Sequence, residues 1–264
     1  MLKKILITFL AFISLSNCSS NNDKNEMPEN FESAENLYRE ARAHFDKQEY
    51  ESAVNIYDEI EKNYPLSNEA IQSQIMNAFV EYISLNYDEA IFKLNKIIKK
   101  YPSYKDIDYV YYMKAVCYYE QINDEELDDD NNVKALENFN QIIIRFPNSK
   151  YAKDSYQKIT LINENVAAKH MNIGLFYLKN KKYLASMNRY KIVVENYSQT
   201  KFTPEALHRL VEIYFKLGMS AEAEKTASVI GYNYPKSKWY KHSYELVAKN
   251  NEKKSLLNFF KKKK

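Results

Sequence analysis

Few of these 264 residues carry the chemistry of an active site. The four histidines, His44, His170, His208 and His242, are scattered, and an enzyme would need His170 or His208 with an acid partner in a catalytic arrangement, which the sequence does not spell out. There is no glycine-rich phosphate loop, nucleophile elbow or zinc-ligand spacing. The acidic run DEELDDD (124–130) offers carboxylates, but it lacks the turn glycine and ligand spacing of a calcium loop and reads as a solvated loop. The chain is therefore expected to be no enzyme and to use no metal or cofactor. Two cysteines remain. Cys117 lies inside the apolar stretch YVYYMKAVCYYEQI, where a lone cysteine is usually a small core residue. Cys18 stands in SLSNCSSNN, between an apolar run and a polar one, and could be an ordinary thiol, half of a disulfide or a covalent anchor.

The residues before Cys18 narrow the choice. Lys3 and Lys4 give a positive start, and Ile5 to Leu15 is apolar apart from Thr8 and Ser14. Eleven helical residues rise about 16 Å, too short for a hydrocarbon core of about 30 Å. A charged start, a short apolar centre and a polar end make a secretory signal over residues 1–17. Leu15-Ser16-Asn17-Cys18 further resembles a bacterial lipoprotein signal, with Asn17 departing from the usual Gly, Ala or Ser. That resemblance implies cleavage before Cys18 and acylation of its sulfur and new amine. Buried acyl chains contribute about 0.8 kcal/mol per CH₂, so two or more hold a protein to a membrane. Residues 18–32 then read as the lipidated Cys and a flexible tether. With only Cys117 as a second thiol, a disulfide is the weaker option.

Composition bounds the rest. Three glycines and six prolines argue for helix over a turn-rich sheet protein, and 24 Tyr with 13 Phe make the apolar surface largely aromatic. No run of 18 apolar residues occurs. Without the signal, basic residues number 36 against 35 acidic, and seven of those lysines fall in residues 249–264. The remainder is net acidic, which is no nucleic-acid-binding balance.

One pattern recurs five times: a small residue, a bulky one four places on, Ile or Val three later, then an aromatic and Pro. Its instances are Ala53/Tyr57/Ile60/Pro65, Ala90/Leu94/Ile97/Pro102, Ala135/Phe139/Ile142/Pro147, Ser186/Tyr190/Val193/Ser198 and Ala223/Ala227/Ile230/Pro235. Positions i, i+4 and i+7 share one helix face. The small residue admits a neighbouring helix, and proline cannot continue its own. Twelve residues earlier stand Ala41, Ala78 and Gly174, where a first helix needs a second small contact. This resembles the tetratricopeptide repeat, with spacings of 37, 45, 51 and 37 that all exceed the usual 34. The expected fold is all-α, an α-solenoid of about five helix–turn–helix units over residues 33–247, with a basic tail at 248–264. The third unit gains residues in the acidic run; the fourth gains them before Gly174, in one long or broken helix.

The stretches DIDYVYYMKAV (106–116), RFPNSKYAKDS (145–155) and KLGMSAEAEKTASVI (216–230) resemble the BamD family, lipoproteins of the outer-membrane β-barrel assembly machinery. The similarity runs from about residue 31 to about residue 235. Asn17, the acidic insert, Ser198 and the long basic tail depart from it. The resemblance implies a non-enzymatic scaffold, lipid-anchored on the periplasmic face of the outer membrane. Ser19 after Cys18, in place of Asp, permits export there. It implies binding of the barrel subunit's periplasmic domains through the C-terminal repeats, alongside other accessory lipoproteins, and of unfolded outer-membrane proteins through the N-terminal repeats. The alternative is another repeat lipoprotein of pilus or cell-wall assembly, acting as a peptide-binding module.

First helices of such arrays line the concave face. That places Tyr38, Arg42 and Phe45, then Ile75, Phe79 and Tyr82, then Tyr109, Tyr112 and Tyr119, and in the fourth unit Met171, Leu175 and Leu178. The rings would suit an extended chain ending in an aromatic residue, with Arg42 meeting its carboxylate. Packing between helices is the competing use of the same rings. On a second helix, Arg189 beside Asn188 falls in the region of the family's barrel-subunit contact, and Arg is enriched at binding hot spots. A solvated Arg is the alternative. The end LLNFFKKKK is either a frayed tail or a contact for an anionic surface.

Overall fold

The structure, a computed structural model, describes residues 32–122 and 130–261. These form eleven α-helices, with no strand among the described residues. In order they are α1 (Ala34–Asp46), α2 (Tyr50–Asn63), α3 (Asn68–Ile83), α4 (Tyr87–Lys100), α5 (Ile107–Glu120), α6 (Asp130–Arg145), α7 (Lys150–Lys179), α8 (Tyr183–Asn196), α9 (Thr203–Lys216), α10 (Ser220–Asn233) and α11 (Lys238–Lys261). The chain divides into two compact units, residues 1–70 and 71–264. The first holds the hairpin α1–α2; the second holds nearly all of α3 and everything after it.

Local chemistry stops and restarts the chain at the same points in each repeat. The second helices end on Tyr64, Tyr101, Phe146, Tyr197 and Tyr234, whose N–H groups donate to the carbonyls of Ile60, Ile97, Ile142, Val193 and Ile230. Proline follows four of them and cannot donate the next helical bond. Ser198 has the same cap in front of it, so the fourth unit stops without proline. The carbonyl of each capping aromatic accepts from the residue three further on: Ser67, Tyr104, Ser149, Thr200 or Ser237. Three of those serines then cap the next helix. The Oγ of Ser67, Ser149 and Ser237 accept from the N–H groups of Ala70, Tyr151 and Trp239 at 3.0, 3.1 and 3.2 Å. Each cap contributes about 1 kcal/mol.

Within a hairpin the turn needs a left-handed residue. Gln48, Leu85, Lys181 and Gly218, each seven places after its helix's contact residue, have φ of 64°, 63°, 58° and 78°. Only one is the glycine that adopts this region without a Cβ penalty. The third repeat has the acidic insert at this place.

In all five instances the small, the bulky and the Ile or Val positions are buried, with Ala227 alone only partly so, while the Pro or Ser that follows is exposed. The contact across each hairpin is tight. A Cβ on Gly174 would come within 2.8 Å of the Tyr190 ring, which fills the space glycine leaves. The fifth unit reverses these sizes, with Val211 in the first helix and Ala227 in the second, so the volume between the helices is kept by exchange.

In the second unit the buried side chains form two clusters, and α7 contributes to both. Ile162 and Val166 close the first, while Ala167 and Met171 open the second. The long-or-broken alternative resolves to one unbroken 30-residue helix, about 45 Å long. First-helix contact residues recur every 37 residues except between Ala115 and Gly174, where the interval is 59. Of the excess, eight residues fall in the acidic insert and fourteen in α7. Helix α11 runs through Lys261 and so crosses the boundary expected at 247/248.

Candidate functional site

The ring positions sit on first helices, where each side chain packs on its own hairpin and still reaches solvent. In the second unit, Phe79 and Tyr82 on α3 and Tyr109, Tyr112 and Tyr119 on α5 are all partly buried against the first core cluster. They contact one another and nearby rings. Phe79 and Tyr82 stack at 5.9 Å, and Tyr82 meets Tyr87 at 5.9 Å. Tyr151, at the start of α7, lies 4.8 Å from Tyr112 and 5.5 Å from Tyr109. Phe139 is 6.2 Å from both Tyr112 and Tyr119. Such pairs add about 0.5–1.5 kcal/mol each beyond the area they bury. The two uses of these rings therefore coexist: each packs, and each keeps part of its surface open.

The hydroxyls of Tyr82, Tyr109 and Tyr112 are held in the neutral form. Burial pushes Tyr109 up to about 12 and raises Tyr82. Burial first, and then the Asp154 carboxylate that accepts the Tyr112 hydroxyl at 2.5 Å, raise Tyr112. Asp108 beside them accepts from Ser149 Oγ at 2.6 Å. Carboxylates therefore flank the stacked tyrosines of the third repeat, with Lys150 4.9 Å from the Tyr151 ring and Lys158 4.3 Å from the Tyr119 ring. Sequence reasoning missed this acidic edge, whose signal is the Asp four residues before Tyr112. It also missed a cavity of about 240 Å³ beside Tyr119, lined by Asn132, Asn165 and Lys169 among others.

The other expected ring residues, Tyr38, Arg42 and Phe45, lie in the first unit. Tyr38 tilts against Tyr57 at 5.7 Å, and Phe45 against Tyr50 at 5.4 Å. Arg42 lies 5.4 Å from the Phe45 ring and pairs with Asp46 at 3.6 Å. That exposed pair is worth about 0–1 kcal/mol and yields easily to another carboxylate. Ile75 and Met171, expected at the same face, are core residues at 7% exposure, because their helix turns them into the two clusters.

Arg189 lies on α8, half-buried, with Nη1 3.5 Å from Nδ1 of the buried His170 on α7. His170 in turn stacks on Tyr197 at 6.1 Å. The guanidinium thus rests on a neighbouring helix instead of standing free, and Asn188 beside it is exposed. Cys117 is buried and reduced, its thiol pushed up to about 12 by burial. Cys18 lies outside the described residues, as do 123–129 of the acidic insert; Asp130 opens α6 and pairs with Lys134 at 2.5 Å. Among the described residues no group of His, Cys, Asp and Glu is placed to hold a metal ion. No helix among them is long and apolar enough to cross a membrane.

Hairpins repeating on a 37-residue register, with half-open rings on their first helices, define a helical-repeat protein of the tetratricopeptide type. The family model described as "Outer membrane lipoprotein" (YfiO) matches residues 31–229. The outer membrane protein assembly factor BamD of Rickettsia prowazekii (strain Madrid E) is 40% identical over 247 residues, 93% of this chain and 97% of that protein. BamD of Caulobacter vibrioides is 35% identical over 241 residues, 91% of this chain and 79% of that protein. Among solved structures, the TPR2AB domain of yeast Sti1 aligns at 14% identity with a TM-score of 0.49, over 85% of this chain and 87% of that one. The chain belongs to the BamD family of outer membrane lipoproteins, and its role is that of an outer-membrane protein assembly factor.

Proposed function

We propose that the chain is a lipid-anchored scaffold on the periplasmic face of the outer membrane. It binds the periplasmic domains of the assembly machinery's barrel subunit and receives unfolded outer-membrane proteins. The observation that carries this is 40% identity along nearly the whole length of an assembly factor. In this reading Cys18 bears the acyl groups, residues 19–32 tether the repeats, and Arg189 with Asn188 meets the barrel subunit. The half-open rings Phe79, Tyr82, Tyr109, Tyr112 and Tyr119 take the apolar side chains of the substrate, as Tyr38, Arg42 and Phe45 do in the first unit. Asp108 and Asp154 favour a segment carrying a cation near its aromatic residues.

Arg189→Glu tests the partner contact. A charge reversal opposite a partner carboxylate is expected to cost about 2–5 kcal/mol of binding. Calorimetry on the purified protein and the barrel subunit's periplasmic domains reads it. Equal affinity for wild type and variant, with matching helical content, would remove Arg189 from the interface.

A further inference from the structure

Three helices enclose the cavity of about 240 Å³ beside Tyr119. The end of α5 supplies Tyr119 and Glu120, the first turn of α6 supplies Asn132, and α7 supplies Ile162, Val166 and Lys169, among others. The α7 wall is the stretch over which that helix passes from the first buried cluster to the second. Asn132 is 8% exposed, and among the described residues no hydrogen bond reaches its side-chain amide. Nearby asparagines are paired: Asn131 Nδ2 donates to the Gln121 carbonyl at 3.2 Å, and the buried Asn138 Nδ2 to the Lys134 carbonyl at 2.8 Å. A buried polar group is normally satisfied, because without a partner it gives up its bonds to water for nothing. Asn132 instead lines a space in which a partner can sit.

The lining selects the chemistry of that partner. An amide offers donors and an acceptor together, so another amide complements it on both sides. Of the lining residues only Glu120 and Lys169 are charged, and their signs are opposite, so the cavity as a whole favours no ion. Ile162 and Val166 are buried and give it an apolar wall. A neutral polar group on an aliphatic stem fits these walls. Cavities that take whole small molecules run to about 300–1,000 Å³; this smaller one suits a single side chain. Tyr119 is both the last ring of the row on α5 and a wall of the cavity. A polypeptide lying on the rings can therefore turn one side chain into it.

We propose that the cavity is a side-chain pocket of the substrate groove and takes a glutamine of the bound segment, its carboxamide pairing with that of Asn132 and its stem lying on Ile162 and Val166. This rests on the reading of the ring row as a substrate groove. Alternate residues of an extended segment face one side, so the glutamine stands an even number of residues from the aromatics that meet the rings. The probe is a blocked, fluorescent ten-residue peptide of alternating Ser and Tyr with one central Tyr replaced by Gln, titrated into the full-length protein. Companion peptides carry Ala, Glu or Phe at that place, or the Gln moved by one residue. The Gln peptide is expected to bind at least fivefold tighter than the Ala peptide, and the shifted Gln to lose that margin. Asn132→Leu, and Asn165→Trp at an exposed lining position, should also abolish the margin while leaving affinity for the Ala peptide unchanged. Circular dichroism checks that both variants keep their helix content. Equal affinity for the Gln and Ala peptides would overturn the proposal and leave the cavity to water only; loss of Ala-peptide binding in Tyr82→Ala would then show that the ring row stands without it. No saturable binding of any peptide would overturn both readings. Tighter binding of the Glu or the Phe peptide would overturn the proposal in favour of a charge-reading or an apolar pocket. A Gln margin that survives both variants would place the glutamine elsewhere and overturn it as well.

Discussion

Tyr57 shows how a side chain can fit a packing slot and still be poorly matched to it. Its ring is buried, tilted against Tyr38 in the first unit. Its hydroxyl has no hydrogen-bond partner among the described residues, and burial raises its pKa strongly. An unpaired buried hydroxyl costs about 1–3 kcal/mol of desolvation. Leu94 and Phe139 occupy the same repeat position without one, so the slot needs bulk alone. Tyr57→Phe is therefore expected to raise the thermal midpoint by about 2–4 °C, the shift that goes with about 1 kcal/mol in a chain of this size. A lower midpoint by calorimetry would mean that the hydroxyl is satisfied.

Helices in this chain are specified in pairs, and the pair Gly174–Tyr190 is the sharpest case. Gly174→Ala places a methyl 2.8 Å from a ring that has no room to retreat, since Tyr190 is itself wholly buried. Overpacking of this kind is expected to cost about 1–3 kcal/mol. Adding Tyr190→Leu recreates the Ala78–Leu94 pairing of the second repeat, so the double variant should recover part of the loss. A double-mutant cycle in urea decides it: strictly additive losses would mean that the two positions do not share one volume. The docking of α11 is a pairing of another kind. His208, 5% exposed on α9, faces Ser243, Trp239 and His242 of α11, with Glu212 3.8 Å from Nε2 and Arg209 adjacent. Burial, reinforced by Arg209 and His242 and opposed by Glu212, holds its pKa below the usual histidine value. As pH falls below about 6.5 the unfolded chain takes up this proton before the folded one does. The stabilisation is therefore whole above that pH and declines below it, by at most about 1.4 kcal/mol per pH unit. Trp239 is the chain's one tryptophan and reports on this contact. Its fluorescence-detected unfolding should weaken from pH 7 to pH 5.5 in wild type and markedly less in His208→Gln; parallel pH curves would discard the assignment.

At the scale of the whole molecule, the proposed acyl anchor at Cys18 is expected to be separable from folding. In sequence, Cys18 and residues 19–32 precede the first described helix, and both buried clusters assemble from residues well after them. Cys18→Ala is accordingly expected to leave thermal stability unchanged and to release the protein from membranes into the soluble fraction. Salt-resistant retention of a variant whose signal is cleaved would rule out the acyl anchor.

Sequence alone determined the all-helical class, the five-fold register, the buried small and bulky positions and the family. The family rests on the resemblance of residues 106–116, 145–155 and 216–230; the rest follows from short-range rules: a 3.6-residue period, proline that ends a helix, and side chains that must match in volume across one hairpin. The tertiary structure decided what depends on neighbours distant in the chain. It showed that the excess residues before Gly174 continue one unbroken helix, because both halves of α7 have an apolar cluster to cover. It bound Arg189 to His170, nineteen residues away, and set Asp154, forty-two residues from Tyr112, on the ring row. Asn132 was legible as a polar residue after the acidic run, but not as a buried amide beside a cavity. Whether such a residue is covered depends on which helices lie over it, and no rule of helical period contains that.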